Sequence, residues 1–233
     1  MTRLLHLDAS PRPGRSGTHE HGSHTRRLTH HFVSRWRAER PDDDIVYRDL
    51  GTTPPSLTTV EWIEAAFTPE ELRQPWMAGV LAESDVLVDE VLRADVLVLG
   101  VPLYNFSYPA AFKAWIDNIV RVGRTVDFDP ANHEAPFTPL LADRPRHAVI
   151  LSSRGGFDLG PGGALAHMNH LEASVRTALE FIGIEHFHEL AIEYQEEGGE
   201  RLARSTRDAL AGVERLVAEL AEKASVPRQP LPA

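Results

Sequence analysis

The chain has 233 residues, of which 42% are hydrophobic and 25% charged, with no cysteine and a formal net charge of −10. This composition points to one globular domain with insertions, and the missing cysteine excludes disulfides, thiolate catalysis and cysteine-ligated metals or iron–sulfur clusters. An acidic surface repels duplex nucleic acid and anionic membranes. No apolar run approaches the ~20 residues needed to span a bilayer, and "MTRLLHLDAS" lacks the length and cleavage pattern of a signal peptide. A cytoplasmic protein is expected, without nucleic-acid or membrane partners.

In chain order, "RLLHLDAS" reads as a short buried strand ending at Ser10, followed by a Pro/Gly/His-rich loop to about Ser23. In "TRRLTHHFVSRWRAE", Leu28, Phe32 and Trp36 recur every four residues on one helical face. "DIVYRDL" is a second strand. Residues 51–77 are Thr/Pro-rich, and "TPEELR" carries a helix-start signature, with Thr68 as N-cap, Pro69 at the first helical position and Glu71 completing a capping box. A helix over about 77–93 presents Leu81, Val88 and Leu92 and leads into "ADVLVLGVPLYNF", the strongest strand of the chain.

A helix after Pro109 buries Phe112, Trp115, Ile116 and Ile119, and a polar, proline-spaced segment follows over 123–146. "HAVILSS" is the fourth strand and opens into the glycine-rich "RGGFDLGPGG". "LEASVRTALEFIGI" is a helix stopped by Gly183, "EHFHELAIE" a fifth strand, and "GERLARSTRDALAGVERLVAELAEKA" the closing helix. Residues 225–233 read as a flexible tail. Five short apolar strands alternating with helices predict a parallel sheet covered on both faces, and such sheets bind ligands at the carboxyl ends of their strands.

Three loops meet at that end. The first runs from Ser10 into the first helix, where hydroxyl residues and free N–H groups at a helix start suit a phosphate; an ordinary capped loop has the same pattern. It contains neither a Walker lysine nor G-x-G-x-x-G. The second holds Tyr104, Asn105 and Phe106, which offer aromatic walls and one amide to a flat heterocycle, or alternatively cap the core. In the third, "SSRGGFDLGPGG", glycines permit close backbone approach to a ligand; a flexible turn would also use them. "HEHGSH" places His19, His21 and His24 together, as metal ligands would be, but reads more simply as a mobile, solvated insertion, and no metal is expected. His6, His167, His170, His186 and His188 read as core or surface residues.

Together the loops resemble those of the FMN-dependent NADH-azoreductases, dimeric flavodoxin-like enzymes related to NAD(P)H:quinone reductases. "PLYNF" is similar to the family's Pro-Met-Tyr-Asn-Phe loop, with Leu103 in place of methionine. "SRGG" over 153–156 is similar to its Ser-Arg-Gly-Gly loop, and "DAS" matches its first-strand serine. The resemblance spans about residues 1–192. It implies a flavodoxin-like α/β fold, a three-layer sandwich whose five-stranded parallel sheet has helices on both faces, as one domain over 1–224 with insertions near 11–24, 51–77 and 123–146. It also implies FMN as cofactor, NADH or NADPH as reductant, ping-pong transfer to a quinone, azo or related aromatic acceptor, and a homodimer with Trp115 among its contacts.

Carried onto this chain, the resemblance assigns Ser10 to the FMN phosphate. It assigns Pro102, Leu103, Tyr104, Asn105 and Phe106 to the ring edge, with Asn105 positioning the flavin, and Ser153, Arg154, Gly155 and Gly156 to the pyrimidine side. Phe128 and Phe157 fall in the acceptor pocket, and no catalytic side chain is required because the cofactor carries the chemistry. The insertion leaves two segments for the remaining phosphate contacts, Ser16–Gly17–Thr18 or Ser23, His24 and Thr25; the latter keep the spacing into the helix. Residues 124–144 lack the family's Thr-Phe-x-Tyr element, with Val126 and Phe128 at the aromatic positions, and its glycine turn. Two alternatives follow: a biosynthetic flavoprotein without general azoreductase activity, or a flavodoxin-type electron carrier.

Overall fold

The computed structural model describes residues 1–225; the expected tail lies, Ser225 apart, outside them. Five parallel strands, β1 (Arg3–Asp8), β2 (Asp44–Asp49), β3 (Val96–Pro102), β6 (His147–Ser153) and β7 (His186–Ile192), form one sheet in the order β2-β1-β3-β6-β7. The chain leaves β1 for one edge and returns through β3 to the other side, so the switch point lies between β1 and β3. Every residue of β3 is buried, as expected of a central strand covered on both faces.

Helices α1 (His24–Glu39) and α6 (Gly199–Ser225) cover one face. Their Leu28, Phe32, Trp36, Val213 and Val217 pack on Val96, Val98 and Val149. Helices α3 (Pro75–Arg93), α4 (Ala110–Ile119) and α5 (Leu171–Phe181) cover the other with Leu87, Phe112, Trp115, Val175 and Leu179. Trp115 is fully buried, its ring 5.2 Å from Phe112. It packs on the sheet and is not available as a subunit contact, which corrects the expectation drawn from the family.

Two inserted segments hold structure that apolar periodicity does not reveal. Over 51–77 lies α2 (Val60–Phe67), capped by Thr59, whose side chain accepts from the Trp62 amide. The capping box expected at Thr68 does not form. Thr68 closes α2 instead, donating its hydroxyl to the Glu64 carbonyl over 2.7 Å, and only a single 3₁₀ turn, Glu70–Leu72, follows. The next helix begins at Pro75. Over 123–146, β4 (Val126–Phe128) pairs antiparallel with β5 (Phe137–Pro139). The 11–24 insertion folds back on itself: the Ser16 amide donates to the Ser23 carbonyl over 3.0 Å and the Ser23 amide to Gly14 over 3.1 Å.

Candidate functional site

All three loops leave the carboxyl ends of the central strands β1, β3 and β6. The first delivers the chain to α1, whose N-cap is Ser23, its hydroxyl accepting from the Arg26 amide over 3.2 Å. Ser23 Oγ also lies 2.9 Å from Thr25 Oγ1. Among the described residues, the amides of His24 and Thr25 donate to no protein acceptor, so the positive end of the helix dipole presents free N–H groups. Ser10 is buried beside it. Burial, then Arg27 and Arg12, lower the His24 pKa, so its imidazole is neutral at pH 7 and adds no charge of its own.

Ser16 and Thr18, the alternative phosphate segment, sit in the fold-back. Ser16 Oγ is 3.0 Å from His24 Nδ1, and Thr18 bonds the Arg15 carbonyl. His19 Nδ1 accepts from the Arg15 amide over 3.1 Å. His19 and His24 of "HEHGSH" thus take part in the loop's internal hydrogen bonding, His21 is exposed beside Glu20, and no group of three or more metal-ligating side chains occurs among the described residues.

In the second loop, Pro102 ends β3 and the Leu103 amide donates to the Ser153 carbonyl over 2.9 Å. Tyr104 and Ser107 exchange two backbone hydrogen bonds of 2.7 and 3.1 Å across Asn105 (φ 48°) and Phe106 (φ 69°). Two successive left-handed residues are the mark of a type I′ turn, which usually takes glycine. Here both positions are filled by larger side chains, at a cost in backbone strain of a kind concentrated at ligand sites. The Asn105 side-chain amide has no protein partner among the described residues, and Tyr104 and Phe106 are each more than a third exposed.

The third loop is held from below. Arg154 is buried, donating through Nη2 to Glu172 Oε1 over 2.7 Å and through Nη1 to Glu193 Oε1 over 2.9 Å. Ser152 Oγ donates to the same Glu172 oxygen and Asn169 Nδ2 to the other. Burial opposes ionisation of Glu172, but Arg154 and these donors bring its pKa below the usual range. The Arg154 side chain therefore anchors the loop from inside. The carbonyls of Gly155 and Gly156 accept from the amides of Glu196 and Tyr194, while the glycine amides have no protein acceptor among the described residues. Two donors and an exposed backbone suit the carbonyl edge of a heterocycle.

The two expected acceptor-pocket residues are separated. Phe157 follows the glycines and stacks on Tyr194, ring centroids 5.1 Å apart, at the rim of an open groove of about 790 Å³ also lined by Leu190, Arg201, Arg204 and Ser205. Phe128 lies against Phe137, which meets Phe181 at the far end of α5. That helix begins beside the glycine-rich loop and ends at Phe181, so the Phe128–Phe137 pair lies at its opposite end. Residues that support the site without a legible motif are Arg26, Asn169, Glu172 and Tyr194.

Comparison with known proteins places the chain in a family with this fold. A family described as having a flavodoxin-like fold matches residues 2–217. "FMN-dependent NAD(P)H:quinone oxidoreductase 1" of Pseudomonas aeruginosa is 41% identical over 225 residues, covering 96% of this chain and all of the relative. "FMN-dependent NADH:quinone oxidoreductase 2" of Colwellia psychrerythraea is 38% identical over 220 residues, 94% of this chain and all of its own. Among solved structures, an FMN-dependent NADH-azoreductase of Bacillus anthracis, in complex with FMN, superposes with a TM-score of 0.79 at 17% identity, covering 95% of this chain and 100% of that one. At that identity the likeness speaks for the fold.

Proposed function

The chain belongs to the flavodoxin-like family, and we propose that it is an FMN-dependent NAD(P)H oxidoreductase reducing quinones, azo compounds or related conjugated aromatic acceptors. The observation that carries this reading is the shared placement of unpaired donors. The His24 and Thr25 amides, the Asn105 amide and the Gly155 and Gly156 amides all stand at the carboxyl end of one sheet. A phosphate at the first and a carbonyl-bearing heterocycle at the others match this set.

FMN would supply the hydride chemistry between a nicotinamide reductant and the acceptor. The protein's work is binding and orientation. The start of α1 would hold the phosphate with the His24 and Thr25 amides and the Ser23 and Thr25 hydroxyls, with Ser10 beside them. Residues 102–106 line the ring edge, Asn105 offering its side-chain amide there. Gly155 and Gly156 would donate to the pyrimidine carbonyls, with Ser153 alongside, and Arg154 holds their loop through Glu172 and Glu193. Phe157 closes the side where the acceptor stacks.

The working unit in this reading is a homodimer. Val60, Ile63 and Phe67 form an outward stripe on α2 at 77%, 50% and 63% exposure, flanked by exposed Leu57, Leu72 and Trp76. An unpartnered apolar face of this size marks an interaction surface. Phe128 reaches an acceptor pocket only by lining that of a second copy. The cysteine-free composition suits a reducing cytoplasm, and no helix of the described residues is long and apolar enough to cross a membrane. Reconstitution with FMN, followed by NADH oxidation with and without a quinone, tests the reading. An electron carrier would show no turnover without a separate reductase.

A further inference from the structure

Arg26 lies in the first turn of α1 and is 8% exposed, its guanidinium engaged with protein partners. Its Nη1 and Nη2 grip the two carboxylate oxygens of Asp49 at 2.8 and 2.6 Å. Nη2 also donates to the Ser10 carbonyl over 2.7 Å, and Nη1 to the Tyr47 hydroxyl over 2.9 Å. That hydroxyl donates to Asp8 over 3.1 Å, and the other Asp8 oxygen accepts from Thr29 one turn along α1. One guanidinium therefore joins the ends of β1 and β2 to the start of α1. Its backbone amide is the group that caps on Ser23.

The site of contact on Ser10 is crowded. A Cβ at Gly51 would stand 2.0 Å from the Ser10 carbonyl oxygen, so only glycine lets the chain after β2 close over it. The Ser10 carbonyl is thus buried with Arg26 as its donor, and without that donor the peptide would turn to find another. Burial works against the charge of Arg26, but the Asp49 hydrogen bond and the field of Asp8 raise its pKa further, so it stays a cation in a site already matched by carboxylates. Its charge is directed inward, to Asp49 and Asp8.

We propose that Arg26 is a positioning residue for the FMN phosphate: it sets Ser10 and the first turn of α1 in register with each other and does not touch the phosphate itself. This rests on the FMN reading above, and it separates two jobs of one helix start, free amides that bind and a buried guanidinium that aligns them. Lysine keeps the charge but lacks the planar fork that grips both Asp49 oxygens while donating to the Ser10 carbonyl.

The test compares FMN with riboflavin, which has the same ring and no phosphate, by fluorescence titration of flavin-free wild type, R26Q and R26K, with melting curves alongside. Wild type is expected to prefer FMN. In R26Q the FMN-over-riboflavin preference should fall about tenfold or more, while riboflavin affinity moves by less than about threefold. R26K should fall between the two, and decides the matter alone if R26Q does not fold. Equal weakening of both flavins, or an unchanged preference, would overturn the positioning role and leave Arg26 as scaffold. Wild type that binds neither flavin, or binds riboflavin as tightly as FMN, would overturn the cofactor reading instead.

Discussion

The backbone amide of His170 donates to the carbonyl of Phe106 over 2.9 Å, tying the turn after β3 to the far end of the loop after β6. The Leu103–Ser153 bond ties the same two loops at their near ends. The strained Tyr104–Ser107 turn is therefore braced from both sides, which is how two left-handed non-glycine residues persist.

That bracing makes Asn105→Gly the cleanest probe of the site. Glycine adopts φ 48° freely, so the melting temperature should hold or rise slightly. Removing the side-chain amide should weaken flavin binding or turnover about tenfold, the effect of one ligand hydrogen bond. Asn105→Ala would confound the two effects by adding backbone strain. Unchanged titration and turnover in the glycine variant would remove Asn105 from the site.

Glu172→Gln leaves Arg154 half-partnered in a buried position, where breaking an ion pair costs about 3–5 kcal/mol, so a clear drop in melting temperature is expected at pH 7. The folded pKa of Glu172 is depressed, so its contribution is present above the ordinary carboxylate range and is lost as pH falls through the lower folded value. The gap between wild type and variant should then narrow in acid. A constant gap from pH 7 to pH 3 would show that ionisation of Glu172 carries none of the effect.

His147, at the opposite pole, lies 3.2 Å from His188 and stacks on His186, with Glu219 and Lys223 of α6 facing the group. Burial first, then His186 and His188, lower its pKa to about 4. The unfolded chain binds this proton near pH 6.5 and the folded one does not, so stability should decline as pH drops from 6.5 towards 4. His147→Asn should flatten that decline in melting temperature; an equally steep curve would contradict the assignment.

Introducing charge on the exposed stripe of α2, as Ile63→Glu with Phe67→Glu, should convert a dimer into a monomer by light scattering without lowering the melting temperature of the subunit much, since both side chains are at least half exposed. A variant that remains dimeric would move the subunit contact elsewhere.

The five central strands and the long helices were legible because Leu28, Phe32 and Trp36, or the unbroken apolar run of β3, follow the periods of their elements. Helix α2 was not, because it is short and its Val60–Ile63–Phe67 stripe faces outward. Thr68 followed by Pro69 imitates a helix start, and only the preceding turn reveals that its hydroxyl ends one. The site loops could be read from Ser10, Asn105 and Gly155. Their supports could not: Arg26 meets Ser10 and Asp49, and Arg154 meets Glu172 and Glu193, across separations that no local pattern records.

In the proposed function this chain itself oxidises NAD(P)H through FMN and serves a small acceptor. Steady-state NADH oxidation by the FMN-loaded protein, at several fixed quinone concentrations, tests it most directly. Parallel double-reciprocal lines are expected, since reductant and acceptor react in separate half-reactions. FMN that binds tightly while NADH consumption stays at the protein-free rate with every quinone would overturn the oxidoreductase reading and leave the chain a carrier.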